Sequence, residues 1–406
     1  MVDGGTWRLP IKPAHRIAAE AGGFTFVGGA GDFDAGGKIR HPGDLALQIV
    51  GAIANLKAAL AERTLGLGDV LRVKAFYTGG GKASEWEVLA RLRRAFDFDL
   101  APAITANPVP LQPFAGQAIQ IQAIAQKDWR ETQPLIAVTR EPPAAARDLF
   151  DRPILTQGLR AGEFFCIAGT SAADEADRIA APGDGSAQSH AMMQRLAGTA
   201  AALGASLQDA VKAEGYYFGT TMEHWAAMAA IRATYFHDPG PVATVVPCHL
   251  LHPEGAVTRY EITGLRTALN KYIPREDCWP EGNWDWTIPV PYRQGLRLRG
   301  AIWTGGQVPF VAGRSGKPMH VGDLIGQTRY TMGLIEEIVK GFGRSRADYR
   351  LIVAYFTSKG TPAETEAFLG AIADCVKGPL PPITVVPQPH MHSSNTLTEI
   401  WAVAEG

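Results

Sequence analysis

His390 and His392 stand two apart near the carboxyl end, and Glu399 follows seven positions after the second (392 to 399). Side chains two apart on a strand share a face. Imidazoles beside a carboxylate can ligate a metal or relay a proton. Cys248 and His249 are adjacent, so on a strand they point to opposite faces, which argues against a thiolate–imidazole pair. TGGGKAS (78–84) has the glycines and lysine of a phosphate loop but not the G-x-x-x-x-G-K-[ST] spacing. It reads as a connection to a helix that Ser84 and Glu87 begin as a capping box. There is no G-x-S-x-G and no H-E-x-x-H. Cys166, Cys248, Cys278 and Cys375 are too scattered for a zinc ribbon or a disulfide framework.

The chain has 406 residues, 46% hydrophobic and 19% charged, which is a globular composition and excludes wholesale disorder. Lysine and arginine (39) balance aspartate and glutamate (40), so no overall basic field exists to hold a phosphate backbone. RLRR (91–94) is only a short basic patch. No nucleic-acid partner is expected. The opening MVDGGTWRLPIKPAHR lacks the basic start, apolar stretch and cleavage site of a secretory signal, and no run of 18 apolar residues occurs. A cytoplasmic location with no membrane partner is the expectation.

The elements that position these residues come in three copies. A glutamine in a helical segment (Gln48, Gln188, Gln327) is followed by an aspartate 21 residues on (Asp69, Asp209, Asp348). An aromatic pair comes next (Phe76-Tyr77, Tyr216-Tyr217, Tyr355-Phe356), then a threonine after a proline (Thr105, Thr244, Thr384). Ahead of each helix an apolar strand ends in a small pair: Gly28-Gly29, Ala168-Gly169, Gly305-Gly306. A period near 140 residues means repeated domains rather than solenoid units. The expected domains are 1–130, 131–270 and 271–406. FTFVGG, FFCIAG and AIWTGG read as strands. Leu45, Ile49, Ala52, Ile53, Leu56 and Leu60 make one helical stripe, as do Leu324, Thr328, Met332, Ile335 and Ile338. A single stripe per helix needs one sheet face, so each unit is an α/β two-layer sandwich. PREDCWPEGNWDW (274–286) reads as an insertion between the second and third units.

PYRQG (291–295), AIWTGGQVPF (301–310), the glutamine helix, the paired aromatics and the terminal TEIWAVA resemble the Rid (YjgF/RidA) family of reactive-intermediate deaminases. The third copy is nearest the family pattern and the second most diverged. The resemblance implies chorismate-mutase-like α/β subunits around a threefold axis, with pockets in the clefts between neighbours. Three fused copies then make an intramolecular pseudo-trimer, a monomer whose three clefts are free to differ. It also implies a small-molecule substrate and no metal or other cofactor.

Carried over residue by residue, the family's carboxylate-clamping arginine falls on Thr105, Thr244 and Thr384, so it is missing from every copy. Threonine cannot form a bidentate ion pair. The family's water-orienting glutamate falls on Gln120, Arg259 and Glu399, and only the third copy keeps it. The cleft tyrosine falls on His15, Leu155 and Tyr292. The expected catalytic set is Glu399 as general base with Tyr292 and Thr384 positioning substrate, and backbone at Gly305 and Gly306 polarising it. Thr105, Thr244, Arg259, Gln120 and His15 are expected to line clefts, and His392 to relay a proton as its counterpart His252 would. The implied reaction is hydrolysis or deamination of an imine, enamine or related activated bond. Two alternatives stand beside it. One is a chorismatase-like hydrolase or lyase, an enzyme class that resembles two fused Rid-like domains. Its dicarboxylate would need Arg259, Arg293 or Arg16. The other is a ligand-binding pseudo-trimer without turnover.

Overall fold

The computed structural model describes residues 7–78 and 85–406. The connection over 79–84 and the Ser84 cap lie outside them. The first unit runs β1 (Ala18–Ala21), β2 (Phe24–Ala30), α1 (Leu45–Ala61), β3 (Val70–Tyr77), α2 (Glu85–Ala95), β4 (Ala103–Pro108) and β5 (Ile119–Ala125). A short α3 (Trp129–Thr132) and β6 (Leu135–Arg140) lead to β7 (Leu155–Ala161), β8 (Phe164–Thr170), α4 (Gly185–Ala202), β9 (Ala210–Phe218), α5 (Met222–Ala233), β10 (Val242–Cys248) and β11 (Thr258–Leu265). The third unit has β12 (Glu276–Cys278), β13 (Gly295–Leu298), β14 (Ala301–Thr304), α6 (Leu324–Gly341), β15 (Tyr349–Thr357), α7 (Pro362–Val376), β16 (Ile383–Gln388) and β17 (Thr398–Glu405).

The strand order is β1-β2-β5-β3-β4 in the first unit, β7-β8-β11-β9-β10 in the second and β13-β14-β17-β15-β16 in the third. It is one topology three times, with the last two strands of each order parallel (β3/β4, β9/β10, β15/β16). The sheets meet edge to edge. Ala103 of β4 pairs in parallel with Thr156 of β7, Val242 bridges Arg293, and Leu380 bridges His15. First joins second, second joins third and third joins first, so the sheets close into a ring with the helices outside. These are three chorismate-mutase-like sandwiches in an intramolecular pseudo-trimer.

The recurrent residues are structural. Gln48 donates to the carbonyls of His41 and Gly116 and accepts from the Ala118 amide. Gln188 does the same with Ala181, Gly255 and Val257, and Gln327 with His320, Asn395 and Leu397. Each glutamine thus staples its helix to the loop entering the last strand and satisfies buried backbone groups. Asp69, Asp209 and Asp348 each accept the amide three residues back, closing a 3₁₀ turn before the strand. The aromatic pairs follow strand alternation. Phe76, Tyr216 and Tyr355 face the axis, whereas Tyr77, Tyr217 and Phe356 face the helices.

Around the axis, equivalent positions carry unlike residues. Arg72, Lys212 and Leu351 form one set, Lys74, Glu214 and Val353 the next, and Gln122, Glu261 and Trp401 a third. Arg72 lies 2.9 Å from Glu214 and 2.7 Å from Glu261, and Lys74 lies 2.6 Å from each. All four are buried. In a homotrimer each position would bring three like charges together on the axis. Fusion lets one unit present cations, the next anions and the third an apolar wall. Among the described residues no helix is long and apolar enough to cross a membrane.

Candidate active site

Each seam joins the threonine strand of one unit to the small pair of the next. At the first-to-second seam the Gly169 amide donates to Thr105 Oγ1 at 2.8 Å. At the third-to-first seam the Gly29 amide donates to Thr384 Oγ1 at 3.2 Å. The second-to-third seam departs from this pattern. There the Gly306 amide donates to the Ala243 carbonyl and the Gly305 amide to the Gln294 carbonyl. Thr244 Oγ1 accepts instead from Lys212 Nζ at 2.6 Å.

This second-to-third seam holds Glu399. β17 places it opposite Tyr355 on β15, 4% exposed. A Cβ on Gly306 would lie 1.9 Å from Glu399 Oε1, so only glycine leaves room for the carboxylate. His392 Nε2 lies 2.6 Å from Glu399 Oε2, and Tyr217 Oη lies 3.1 Å from His392 Nδ1. Burial pushes the Tyr217 phenol well above its ordinary range, keeping it a neutral donor. In the neutral imidazole, Tyr217 donates to Nδ1, and Nε2–H donates to the carboxylate. The chain of bonds holds Glu399 Oε2 in place. Among the described residues Oε1 has no donor.

The cavity beside Glu399 measures about 40 Å³, room for roughly three waters. Its walls include Trp225 and Arg232 of α5, Trp284 and Trp286 of the insertion, Tyr292 and Gly306. The insertion is pinned. Trp284 Nε1 donates to Gln307 Oε1 at 3.1 Å, and Gln294 Nε2 donates to the Trp284 carbonyl at 2.9 Å. The glutamine of PYRQG therefore anchors the aromatic cover rather than touching a ligand. Tyr292 packs against Trp286 and Phe236.

The structure thus gathers Glu399, His392, Tyr292, Gly305, Gly306 and Thr244, and separates the rest. Thr384 belongs to the third-to-first seam, because a strand's threonine meets the next unit rather than its own. Gln120 is there too, donating to the Val385 carbonyl at 2.7 Å. The strands meet tightly there, since a Cβ on Gly28 would lie 2.8 Å from Ile383 N, and the cavity of about 840 Å³ between these two units is lined by Lys12, Ile39, Phe114 and Leu369 rather than by Thr384 or Gln120. His15 accepts the Leu9 amide at Nε2 and meets the Pro13 carbonyl through Nδ1. Burial pulls its pKa down, so it is a neutral brace for the amino-terminal segment. Arg259 pairs with Glu85 across the first-to-second seam at 2.6 Å, while Glu261 is held on the axis by Arg72 and Lys74. That seam has a larger cavity, about 740 Å³, lined by Arg259 and His252 but without a counterpart of Glu399. Arg293 pairs with Asp238 and with Asp277. The Gly305 and Gly306 amides are both engaged, so neither is free to polarise a ligand. His390 and His392 do not share a strand face, because β16 ends at Gln388 and His390 meets the His249 ring edge to face instead. Cys248 is buried with its thiol pushed up to about 12, which makes it inert.

Two groups escaped the sequence reading. Arg232 had a signal: with Trp225, Met228 and Ala229 it falls on the buried stripe of α5. Lys212 had none, since its burial depends on two other units. Its Nζ also donates to the Thr304 carbonyl at 2.9 Å and lies over the Trp401 ring. Burial, together with the cations Lys74 and Arg72, lowers its pKa to about 7 against the attraction of Glu214 and Glu399. The folded chain therefore sheds this proton near pH 7, whereas the unfolded chain keeps it to the ordinary lysine range. Stability carries the full penalty below pH 7 and rises with pH above it. Urea unfolding between pH 7 and 9.5 is expected to show this rise, with a limiting slope of about 1.4 kcal/mol per pH unit. Lys212→Met is expected to flatten it, and an unchanged slope would refute the assignment.

The family described as endoribonuclease L-PSP matches residues 153–263. The middle of the chain is a Rid-like domain. The match falls on the second unit, which was expected to be the most diverged, so that ranking of the three units is corrected. A chorismatase crystal structure superposes over 83% of this chain and 93% of its own, with 13% identity and a TM-score of 0.51. The shared architecture therefore extends beyond the two units expected of that class. The YjgF gene product of E. coli is 22% identical over 32% of this chain and 98% of its own, with a TM-score of 0.28. The Rid-family protein YyfA of Yersinia pestis is 18% identical over 33% of this chain and 100% of its own, also at 0.28. The fold is one used for small-molecule enzymes or binding proteins.

Proposed function

We propose that the protein is a small-molecule enzyme that adds water to an imine, enamine or related activated double bond at the second-to-third seam. The observation that carries this reading is the Tyr217–His392–Glu399 chain, which fixes one carboxylate oxygen and presents the other to a cavity walled by aromatics. Glu399 Oε1 takes a proton from water as its oxygen attacks the C=N carbon. The imine enters protonated from solvent, so addition leaves a neutral carbinolamine; Glu399 then returns its proton to the amine, which leaves as ammonia while the hydroxyl gives its proton to solvent and becomes the carbonyl. Water and imine give carbonyl and ammonia, and no other reactant enters. The substrate is the only partner proposed, and the single chain supplies all three seams. Thr244, held by Lys212, lines the seam where the family arginine would stand. The test is ammonia release from imines generated in situ by an amino-acid oxidase with catalase. Acceleration over the buffer rate is expected, and release no faster than in buffer would overturn the reading.

The second reading, a chorismatase-like hydrolase or lyase, is favoured by the length of the superposition alone. Two of the three arginines it would recruit, Arg259 and Arg293, are already paired with acids, and the third, Arg16, is exposed to solvent.

A further inference from the structure

Arg232 has less than 1% of its surface exposed, and among the described residues none of its three guanidinium nitrogens has a hydrogen-bond acceptor. The Tyr292 hydroxyl lies beside it without a bond of good geometry, and the Tyr260 ring sits 5.6 Å away. The first unit shows what such an arginine does when it is structural. Arg93, near the end of α2 and also buried, donates to the carbonyls of Ile154, Phe96 and Phe98. A buried cation without acceptors is costly unless something else supplies them. Arg232 lines the same small cavity as Glu399, yet no ion pair joins the two.

We infer that Arg232 is the anchor for a carboxylate, and that this seam selects small monocarboxylates. The inference rests on the proposed site and names its substrate class. A planar carboxylate matches the guanidinium fork. The cavity holds little more than that group, so the short remainder of the ligand lies between Trp284, Trp286 and Tyr292 and reaches toward Glu399. A second negative charge would meet the Glu399 carboxylate with no other free cation among the cavity residues; Asp285, also in the wall, is taken by Arg314. Dicarboxylates are therefore disfavoured. The anchor stands on the helix side of the cleft, away from the strand threonines.

The test is quenching of tryptophan fluorescence by butyrate, by its neutral isostere butyramide and by succinate. Butyrate is expected to bind saturably and butyramide at least about tenfold more weakly, the loss of one charge-assisted bond. Succinate is expected to bind more weakly than butyrate. Arg232→Met is expected to fold, since it replaces an unpaired cation by an apolar chain of similar length, and to erase the preference for butyrate over butyramide. If it fails to fold, Arg232→Lys, which keeps charge but loses the fork, is expected to weaken butyrate alone. Equal binding of butyrate and butyramide by the unaltered protein, or an undiminished preference in the variants, would overturn the inference. Glu399→Gln is expected to keep the butyrate preference while losing turnover, so failure of the anchor and failure of the proposed reaction are told apart.

Discussion

Glu399→Gln is expected to lower kcat for ammonia release by roughly 10²–10⁴-fold, the range for loss of a positioned general base, with little change in the affinity for butyrate. The amide keeps the shape and can still accept from His392 Nε2, so the seam should hold its geometry. What disappears is the ability of Oε1 to take a proton. His392→Ala acts one step further away, by freeing the carboxylate that the imidazole holds at 2.6 Å, and should cost less. Steady-state rates for both, with butyrate titrations as a control on the cavity, check the order. Equal activity of Glu399→Gln and the unaltered protein would remove the proposed chemistry altogether.

The second large effect is on stability. Glu214→Gln is expected to destabilise the chain by about 3–5 kcal/mol, because it leaves Arg72 and Lys74 buried with one counter-charge instead of two. Burial opposes the Glu214 charge, but Lys74 and Arg72 outweigh it and hold its carboxyl well below the usual range. That contribution is therefore present at neutral pH and is lost as pH falls below the ordinary glutamate range. The variant should show a smaller loss of stability toward acid pH. Adding Lys74→Met removes the surplus cation and should recover much of the deficit, a coupling that a double-mutant cycle in urea measures. Full additivity of the two changes would show that the charges do not act as one cluster.

The threefold architecture was legible because it rests on local signals repeated at one spacing. Helix stripes such as Ile49, Ala52, Ile53, Leu56 and Leu60 are buried as expected. The strand ending in Gly28-Gly29 runs through its glycines, whereas β14 stops at Thr304. There the Gly305 and Gly306 amides leave the pattern of the other seams. The most regular polar residues, the three glutamines and three aspartates, serve backbone groups rather than chemistry. Neighbours across the seams were not legible. Thr384 and Glu399 lie 15 positions apart in one repeat (384 to 399) yet face different partners, because a strand edge and a central strand of one sheet border different neighbours. Arg259 and Glu261 stand two apart and share the inner face of β11, yet one meets Glu85 at a seam and the other meets Arg72 and Lys74 on the axis. Arg232 was visible as a charge on an apolar stripe, and the absence of any acceptor around it required the third unit.

On the proposed reading, covalent fusion left one seam of three equipped for chemistry. A crystal structure determined with pyruvate, which carries a carbonyl where the proposed substrate carries an imine, tests this most directly. Pyruvate is expected between Arg232 and Glu399, its carboxylate on the guanidinium and its carbonyl carbon toward Oε1. Pyruvate held instead in the larger cavity beside Arg259 and His252, with the seam at Glu399 empty, would contradict it.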